Sequence, residues 1–462
     1  MRVPEGFVLG AATAAYQIEG AAAEDGRGPS IWDTFSHVPG TILGDDTGDT
    51  AADHYHRLEA DLDLMAHLGL DAYRFSISWP RVLPDGRGPV NHAGLDFYSR
   101  LVDGLLERGI EPVATLYHWD LPQALQDTGG WLSRDTAAAF ADYARVVGTA
   151  LGDRVDTWTT LNEPWCSAYL GYGSGGHAPG LTGREEPLVA AHHLSLAHGS
   201  AIAALRPVVK PDAKFSVTLN FHVFTPDGPT SPAAVEKVDA LANDTFLVPM
   251  AEGQLSERLV RVTEDVTDWT FVHDGDLATI AQPLSNLGVN YYSSNTVRLW
   301  DGRGERELAD GHKRGATSAW PGAEDVDFLA MPGPHTAMGW NIDPDALGRL
   351  LRDLSARYPD LPLVITENGA AFDDEVAPDG AIHDDARIDY VRRHLAAALD
   401  ARADGVDLRG YFVWSLLDNF EWRYGYARRF GIVRVDYETL ERTPKDSAHW
   451  YRDVIASREL DA

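Results

Sequence analysis

Eight short apolar runs alternate with amphipathic stretches along this chain, and that alternation restricts the folds open to it. The runs are Phe7 to Ala14, AYRFSISW (72–79), EPVATLYHW (111–119), TWTTLNEP (157–164), KFSVTLN (214–220), LSNLGVNYY (284–292), PLVITENG (362–369) and LRGYFVWSL (408–416). Each is strand-like in length and pattern. The stretches 53–68, 94–108, 135–151, 187–206, 231–249, 343–357, 384–402 and roughly 444–456 are read as helices. In the first of them Tyr55, Leu58, Leu62, Met65 and Leu68 recur at helical spacing, and Gly69 follows as a stop. Strand then helix, eight times over, predicts an α/β fold of the (β/α)8 TIM-barrel kind. An open doubly wound sheet would carry a glycine-rich turn after its first strand, and this chain has AAYQIEG there. No low-complexity linker divides the 462 residues. Such barrels commonly exceed 400 residues, so residues 1–462 are expected to form one domain.

Polar and aromatic residues punctuate the carboxyl ends of the predicted strands: Gln17, His118, Asn162, Glu163, Asn290, Tyr292, Glu367 and Trp414. In a barrel those ends share one face, which is the catalytic face. Long loops at 17–50, 293–340 and 370–383 leave from the same ends and are expected to wall a pocket there.

The formal net charge of -31 argues against nucleic acid and anionic membrane as partners, and suits a neutral or cationic small molecule. Cys166 is the single cysteine, so no internal disulfide is possible. The N-terminal segment reads as a first strand rather than a signal peptide, and no run of eighteen apolar residues occurs. The expectation is a cytoplasmic protein, with a homo-oligomer left open. His192, His193 and His198 fall on one helix without the spacing of a metal site, and a core or solvated role is expected for them. Neither metal nor cofactor is expected. Cys166, three residues beyond Glu163, has no identifiable activating partner and reads as a buried inert thiol.

Two carboxylates stand out. Glu163 closes the fourth predicted strand in TLNEP and Glu367 closes the seventh in ITENG, each at a strand-to-loop break. Strands four and seven face each other across a barrel mouth, so the side chains can converge. Glycoside cleavage uses such a pair, one carboxyl to protonate the leaving oxygen and one to attack or stabilise the anomeric carbon. Taken singly, either Glu could do no more than cap a loop. His118 and Trp414 could likewise be ordinary core residues.

The stretches FVLGAATAAYQIEG, RFSISWPRVLP, ATLYHWDLPQAL, TLNEPWCSAYLGYGSGGHAPG, LGVNYY, ITENGAAF and YFVWSLLDNFEWRYGYARRFGIVRVDY resemble, in order and spacing, those of the glycoside hydrolase family 1 β-glucosidases. The resemblance spans essentially the whole chain. It implies a retaining β-glucosidase acting on terminal β-D-glucosyl residues of cellobiose, short β-glucosides or aryl β-glucosides, with Glu163 as acid/base and Glu367 as nucleophile. It implies that Gln17, His118, Asn162, Glu421 and Trp422 hydrogen-bond the sugar hydroxyls. Trp414 would form the floor beneath the ring. Tyr292 and Arg74 would flank the nucleophile, with Asn290 in the same supporting shell. A cation and a phenol favour an ionised Glu367, and Glu163, facing it, is expected to hold its proton above the ordinary range.

Arg423 departs from the family pattern, in which a small residue is common after the Glu-Trp pair. The alternatives are a broader β-glycosidase (galactosidase or fucosidase) and a 6-phospho-β-glycosidase, the latter disfavoured by Glu421 and the acidic charge. Outside that enzyme class stand a catalytically dead sugar-binding barrel and a scaffold.

Overall fold

A computed structural model describes residues 1–228, 231–313 and 315–460. Eight strands, β1 (Val8–Ala12), β2 (Ala72–Ser76), β3 (Glu111–Tyr117), β4 (Thr157–Asn162), β5 (Lys214–Asn220), β6 (Asn286–Asn290), β7 (Leu363–Asn368) and β8 (Leu408–Trp414), pair in parallel in that order. β8 returns to β1, Val8 opposite Gly410, and closes the barrel. The expected (β/α)8 architecture is the observed one. Helices follow the strands and cover the outside, with Arg134–Leu151 packed along Glu186–Leu205. Glu186–Leu205 has the length and apolarity to cross a membrane by composition, but 78% of its apolar window is buried within the protein.

The boundaries differ from the sequence reading where the backbone turns early. The helix expected from residue 53 runs Leu58–Leu68, because Ala51 (φ 47) and Asp53 (φ 55) take left-handed conformations that no helix accommodates. Its expected stop holds, with Gly69 at φ 67. The stretch 231–249 is Pro232–Asp239, a π segment Ala240–Asp244, and Thr245–Glu252. β1 ends at Ala12, and a one-turn helix, Ala15–Ile18, carries Gln17.

The region 293–340 is more than a loop, apart from residue 314, which lies outside the described residues. Its strands Ser294–Leu299 and Val326–Leu329 join Val223–Pro226 in a three-stranded sheet beside the barrel mouth. These strands are short and their partners lie far along the chain, so local periodicity does not reveal them.

Toward its mouth the barrel interior turns polar. Thr218 donates to Thr366 at 3.2 Å, and Thr366 donates to Asn290 Oδ1 at 2.7 Å. This ladder crosses from β5 to β7 to β6 and aims the Asn290 amide nitrogen upward into the site.

Candidate active site

The two carboxylates emerge where strand register breaks. β7 slips against β6 between Ile365 and Glu367, and β4 slips against β5 between Thr159 and Asn162. Such irregularities re-aim side chains at the rim of a barrel. Glu163 itself sits at φ 44, a conformation that costs an L-residue on the order of 1–3 kcal/mol. Its backbone N–H is held by the Thr218 carbonyl at 2.9 Å. After Glu367 and Asn368 the chain passes so close to β8 that a Cβ on Gly369 would lie 1.7 Å from the Trp414 carbonyl oxygen. Only glycine fits there, which explains the residue that follows the Glu-Asn pair.

Each carboxylate has its own setting. Glu367 accepts from Arg74 Nη1 at Oε1 (2.7 Å) and from the Tyr292 hydroxyl at Oε2 (2.7 Å). Glu163 accepts from Asn290 Nδ2 at Oε1 (2.7 Å), and the Cys166 thiol points at its Oε2 from 3.4 Å. Asn162 ties the two together: its Oδ1 accepts from Arg74 Nη2 at 2.7 Å and from Asn290 Nδ2 at 3.2 Å. A cation therefore serves Glu367, whereas only neutral donors serve Glu163.

The electrostatics follow. Burial, and then the Glu367 charge, push Glu163 up to about 8. Burial also raises Glu367, but Arg74 and the Tyr292 hydroxyl oppose it. The pair thus keeps its shared proton on Glu163. Burial ranks above the opposing charge as the cause, where the sequence pointed to the charge alone. Tyr292 is pushed well above its usual range by burial and by Glu367, so it remains a donor. Burial and Arg74 hold His118 well below the usual imidazole range, so its ring is neutral.

Behind this pair lies a second group. Gln17 Nε2 donates to Asn419 Oδ1 (3.0 Å), the Phe420 carbonyl (2.9 Å) and Glu421 Oε2 (3.4 Å). Asn162 Nδ2 and His118 Nε2 are 3.0 Å apart. Trp414 and Trp422 both stack on the His118 ring, at 5.7 and 5.9 Å between centroids. Gln17 Oε1 and His118 Nδ1 are buried with no hydrogen-bond partner among the described residues. Buried polar atoms are rarely left so unless a ligand or an ordered water completes them. Glu421, a third buried carboxyl, is pushed up to about 8 by burial and by the charges of Glu367 and Glu163. All eleven expected site residues thus converge: eight are in the two networks around Glu163 and Glu367 or hydrogen-bonded to Glu421, and Trp414, Trp422 and His118 form the aromatic wall beside them.

The geometry and the sequence agree on a family. The sequence model of glycosyl hydrolase family 1 matches residues 1–460. The chain belongs to glycosyl hydrolase family 1. It is 54% identical over 464 residues to a bifunctional β-D-glucosidase/β-D-fucosidase of Bifidobacterium breve, covering 99% of this chain and 98% of that protein. Among solved structures it is similar to the psychrophilic β-glucosidase of Micrococcus antarcticus (47% identity, TM-score 0.94, 99% and 98% of the two chains). It is also similar to the Thermotoga maritima β-glucosidase in complex with glucoimidazole (44% identity, TM-score 0.91, 99% of each chain).

Within this family member two of the loop expectations need correction. Of the three loops expected to wall the pocket, 293–340 does so, through Asn295, His312 and Trp340 among others. Loop 17–50 instead packs behind the wall, with Trp32 against Trp422 at 4.6 Å. Loop 370–383 is drawn away, its Asp374 bound to the buried Arg387 and Lys445. Cys166 is buried and inert, as expected: it lines the pocket, and burial and the neighbouring Glu163 together keep the thiol protonated. The three helix histidines have separate structural partners: Asp276 for His192, the Trp131 carbonyl for His193 and Thr160 for His198.

Several lining residues were not marked in the sequence: Trp119, His177, Phe221, His222, Lys313 and Tyr424. Trp119 (φ 78) and Trp422 (φ 46) share the left-handed backbone of Glu163 and pack at 4.4 Å. The HWD and EW pairs adjoining His118 and Glu421 were the available signal for that wall.

Proposed function

We propose that this protein hydrolyses terminal non-reducing β-D-glucosyl residues, from aryl β-glucosides and short β-glucosides such as cellobiose, with retention of configuration. The observation that carries this reading is the unequal setting of two carboxyls in one buried pocket. Glu367, held by Arg74 and Tyr292, is the ionised group and attacks the anomeric carbon. Glu163, served by neutral donors and pushed up to about 8, donates its proton to the departing oxygen. Once Glu367 is glycosylated its charge is lost, so one of the two causes holding Glu163 high disappears. Glu163 then accepts a proton from the water that releases the sugar.

The sugar is recognised by the group behind the pair. Gln17 Oε1 and His118 Nδ1 are buried acceptors or donors for hydroxyls, and Glu421 and Asn162 add further ones. The apolar face of a pyranose packs on Trp414. A second reading, β-D-fucosidase activity alongside, is favoured by the name of the Bifidobacterium breve relative. A 6-phosphoglucoside is disfavoured, because a phosphate would meet the buried Glu421 carboxyl.

Initial rates with p-nitrophenyl β-glucoside, β-fucoside, β-galactoside and 6-phospho-β-glucoside test the reading. Efficient turnover of the glucoside, and none of the phosphorylated analogue, is expected. Glu421→Ala is expected to cost about 2–4 kcal/mol in glucoside kcat/KM, the loss of the hydrogen bonds a buried carboxyl makes to sugar hydroxyls. A wild-type protein inert toward every neutral glycoside, or a Glu421→Ala variant with unchanged kcat/KM, refutes it.

A further inference from the structure

The pocket changes sign from its floor to its rim. The floor holds the three carboxyls Glu163, Glu367 and Glu421, and the outer lining holds Lys313 and Arg423. In a chain with 70 acidic and 39 basic residues, two cations together on one pocket rim are a local reversal.

Their placement is specific. Arg423 directly follows Trp422 and is anchored through Nε to the Thr41 carbonyl at 3.2 Å. Lys313 Nζ lies 5.5 Å from the centre of the Tyr424 ring, and Arg428 Cζ lies 5.4 Å from the same ring. Tyr424 itself lines the pocket, so positive charge surrounds an aromatic surface at the mouth. No carboxylate pairs with Lys313 among the described residues, and partial desolvation together with the Arg423 charge lowers its hold on its proton. The one Asp on this wall, Asp310, is turned to its own loop, accepting from Trp320 Nε1 at 3.0 Å and from the His312 backbone N–H at 3.1 Å. Flat and apolar side chains, Leu170, Phe221 and Tyr424, complete this outer lining.

We infer that the outer half of the pocket is a subsite for an aromatic aglycone bearing a carboxylate, which Lys313 and Arg423 bind while the aryl ring lies among Leu170, Phe221 and Tyr424. The inference rests on the glycosidase reading above and names the substrate class within it. A carboxylate between the two cations gains charge-assisted hydrogen bonds and removes their mutual repulsion. A neutral aglycone gains neither. Hydrolysis is balanced without any further reactant: the anomeric carbon–oxygen bond breaks, water supplies the new oxygen, and the hydroxyaryl carboxylate leaves with the proton from Glu163.

The test compares 4-carboxyphenyl β-glucoside with its neutral carboxamide analogue, in wild type, Lys313→Met, Arg423→Met and the double variant. The ratio of the two kcat/KM values within one protein cancels defects common to both substrates. Taking that ratio between proteins cancels the difference in leaving ability. The carboxylate-to-carboxamide ratio is expected to fall about 5–30-fold in the double variant, through KM. In wild type the same ratio is expected to fall as salt rises to about 0.5 M. Lys313 is exposed, so Lys313→Glu provides a charge reversal that does not disturb the core, and it should lower the ratio further than Lys313→Met. An equal ratio in wild type and variants, or equal losses on both substrates because the cations only tune the carboxyls below them, overturns the subsite. A wild type that hydrolyses neither glucoside instead refutes the glycosidase reading, and the two failures are thereby told apart.

Discussion

Arg74 and Glu367 form a salt bridge inside the barrel, Nη1 to Oε1 at 2.7 Å, with side chains only 1% and 4% exposed. An ion pair so deeply placed is a poor source of stability, because desolvation offsets most of the attraction. Its effect is on the proton: the guanidinium opposes the burial that would otherwise protonate Glu367. Arg74→Ala is therefore expected to move the acid limb of the kcat/KM profile to higher pH. Below that limb Glu367 is protonated and cannot attack. An opposite charge so close holds a carboxyl down by about two pH units, so kcat/KM at neutral pH should fall on the order of 100-fold. An acid limb at the wild-type position would show that Arg74 does not act on Glu367.

Tyr292→Phe removes one hydrogen bond from the same carboxylate and leaves Arg74 in place. The acid limb should move in the same direction by a smaller amount, about one pH unit, as expected for a charged hydrogen bond of about 1.5 kcal/mol. The pH–rate profiles of the two variants, side by side, check the order.

Removing either carboxyl should fail in its own way. Glu367→Gly blocks the first step for every β-glucoside, and azide entering the vacated space should yield the α-glucosyl azide. Glu163→Ala should still form the glycosyl-enzyme from dinitrophenyl glucoside, whose leaving group needs no proton. Azide should then release the β-glucosyl azide. Proton NMR of the azides distinguishes the outcomes, and an α-azide from Glu163→Ala would mean that the two roles must be exchanged.

The alkaline limb belongs to the acid. With Glu163 pushed up to about 8, kcat/KM should decline as pH rises through that value, because the ionised form cannot protonate the leaving oxygen. Asn290 donates to the ionised form at 2.7 Å and so lowers this value. Asn290→Ala should shift the limb to higher pH. A shift downward, in a profile measured with an aglycone that requires protonation, would contradict the assignment.

Lys445 is fully buried and bridges Asp374 at 2.5 Å and Asp418 at 2.8 Å. Arg387 pairs with Asp374 at 2.9 Å, and Arg429 with Asp418 at 2.6 Å. Lys445→Met would leave two buried carboxylates short of charge and is expected to cost about 3–5 kcal/mol in stability. Urea unfolding measures it, and a loss under about 1 kcal/mol would show that the two arginines suffice.

The barrel was readable because each of its strands is a local apolar run, bounded by a polar residue and followed by a helix with its own period. Glu163 and Glu367 were readable for the same reason, each lying at a strand end beside Pro164 or two residues before Gly369. The outer pocket was not. Leu170, His222, Lys313 and Tyr424 enter it from four segments with no common period, and nothing local distinguishes them from other residues of those segments.

Sequence alone specified the eight strand–helix units and the two carboxyls at strand ends, because periodicity and strand position are local properties, whereas sugar-binding roles for Gln17, His118, Asn162, Glu421 and Trp422 were implied by the resemblance to the family. The resemblance implied a protonated Glu163, and it is the tertiary structure that makes the two carboxyls unequal. That depends on Arg74 from β2 reaching Glu367 on β7, and on Asn290 from β6 reaching Glu163 beyond β4. It likewise decided that Cys166 faces Glu163 and that cations gather at the rim. Charge, burial and hydrogen bonding act through space over a few ångströms, between residues that the chain separates by as many as 293 positions.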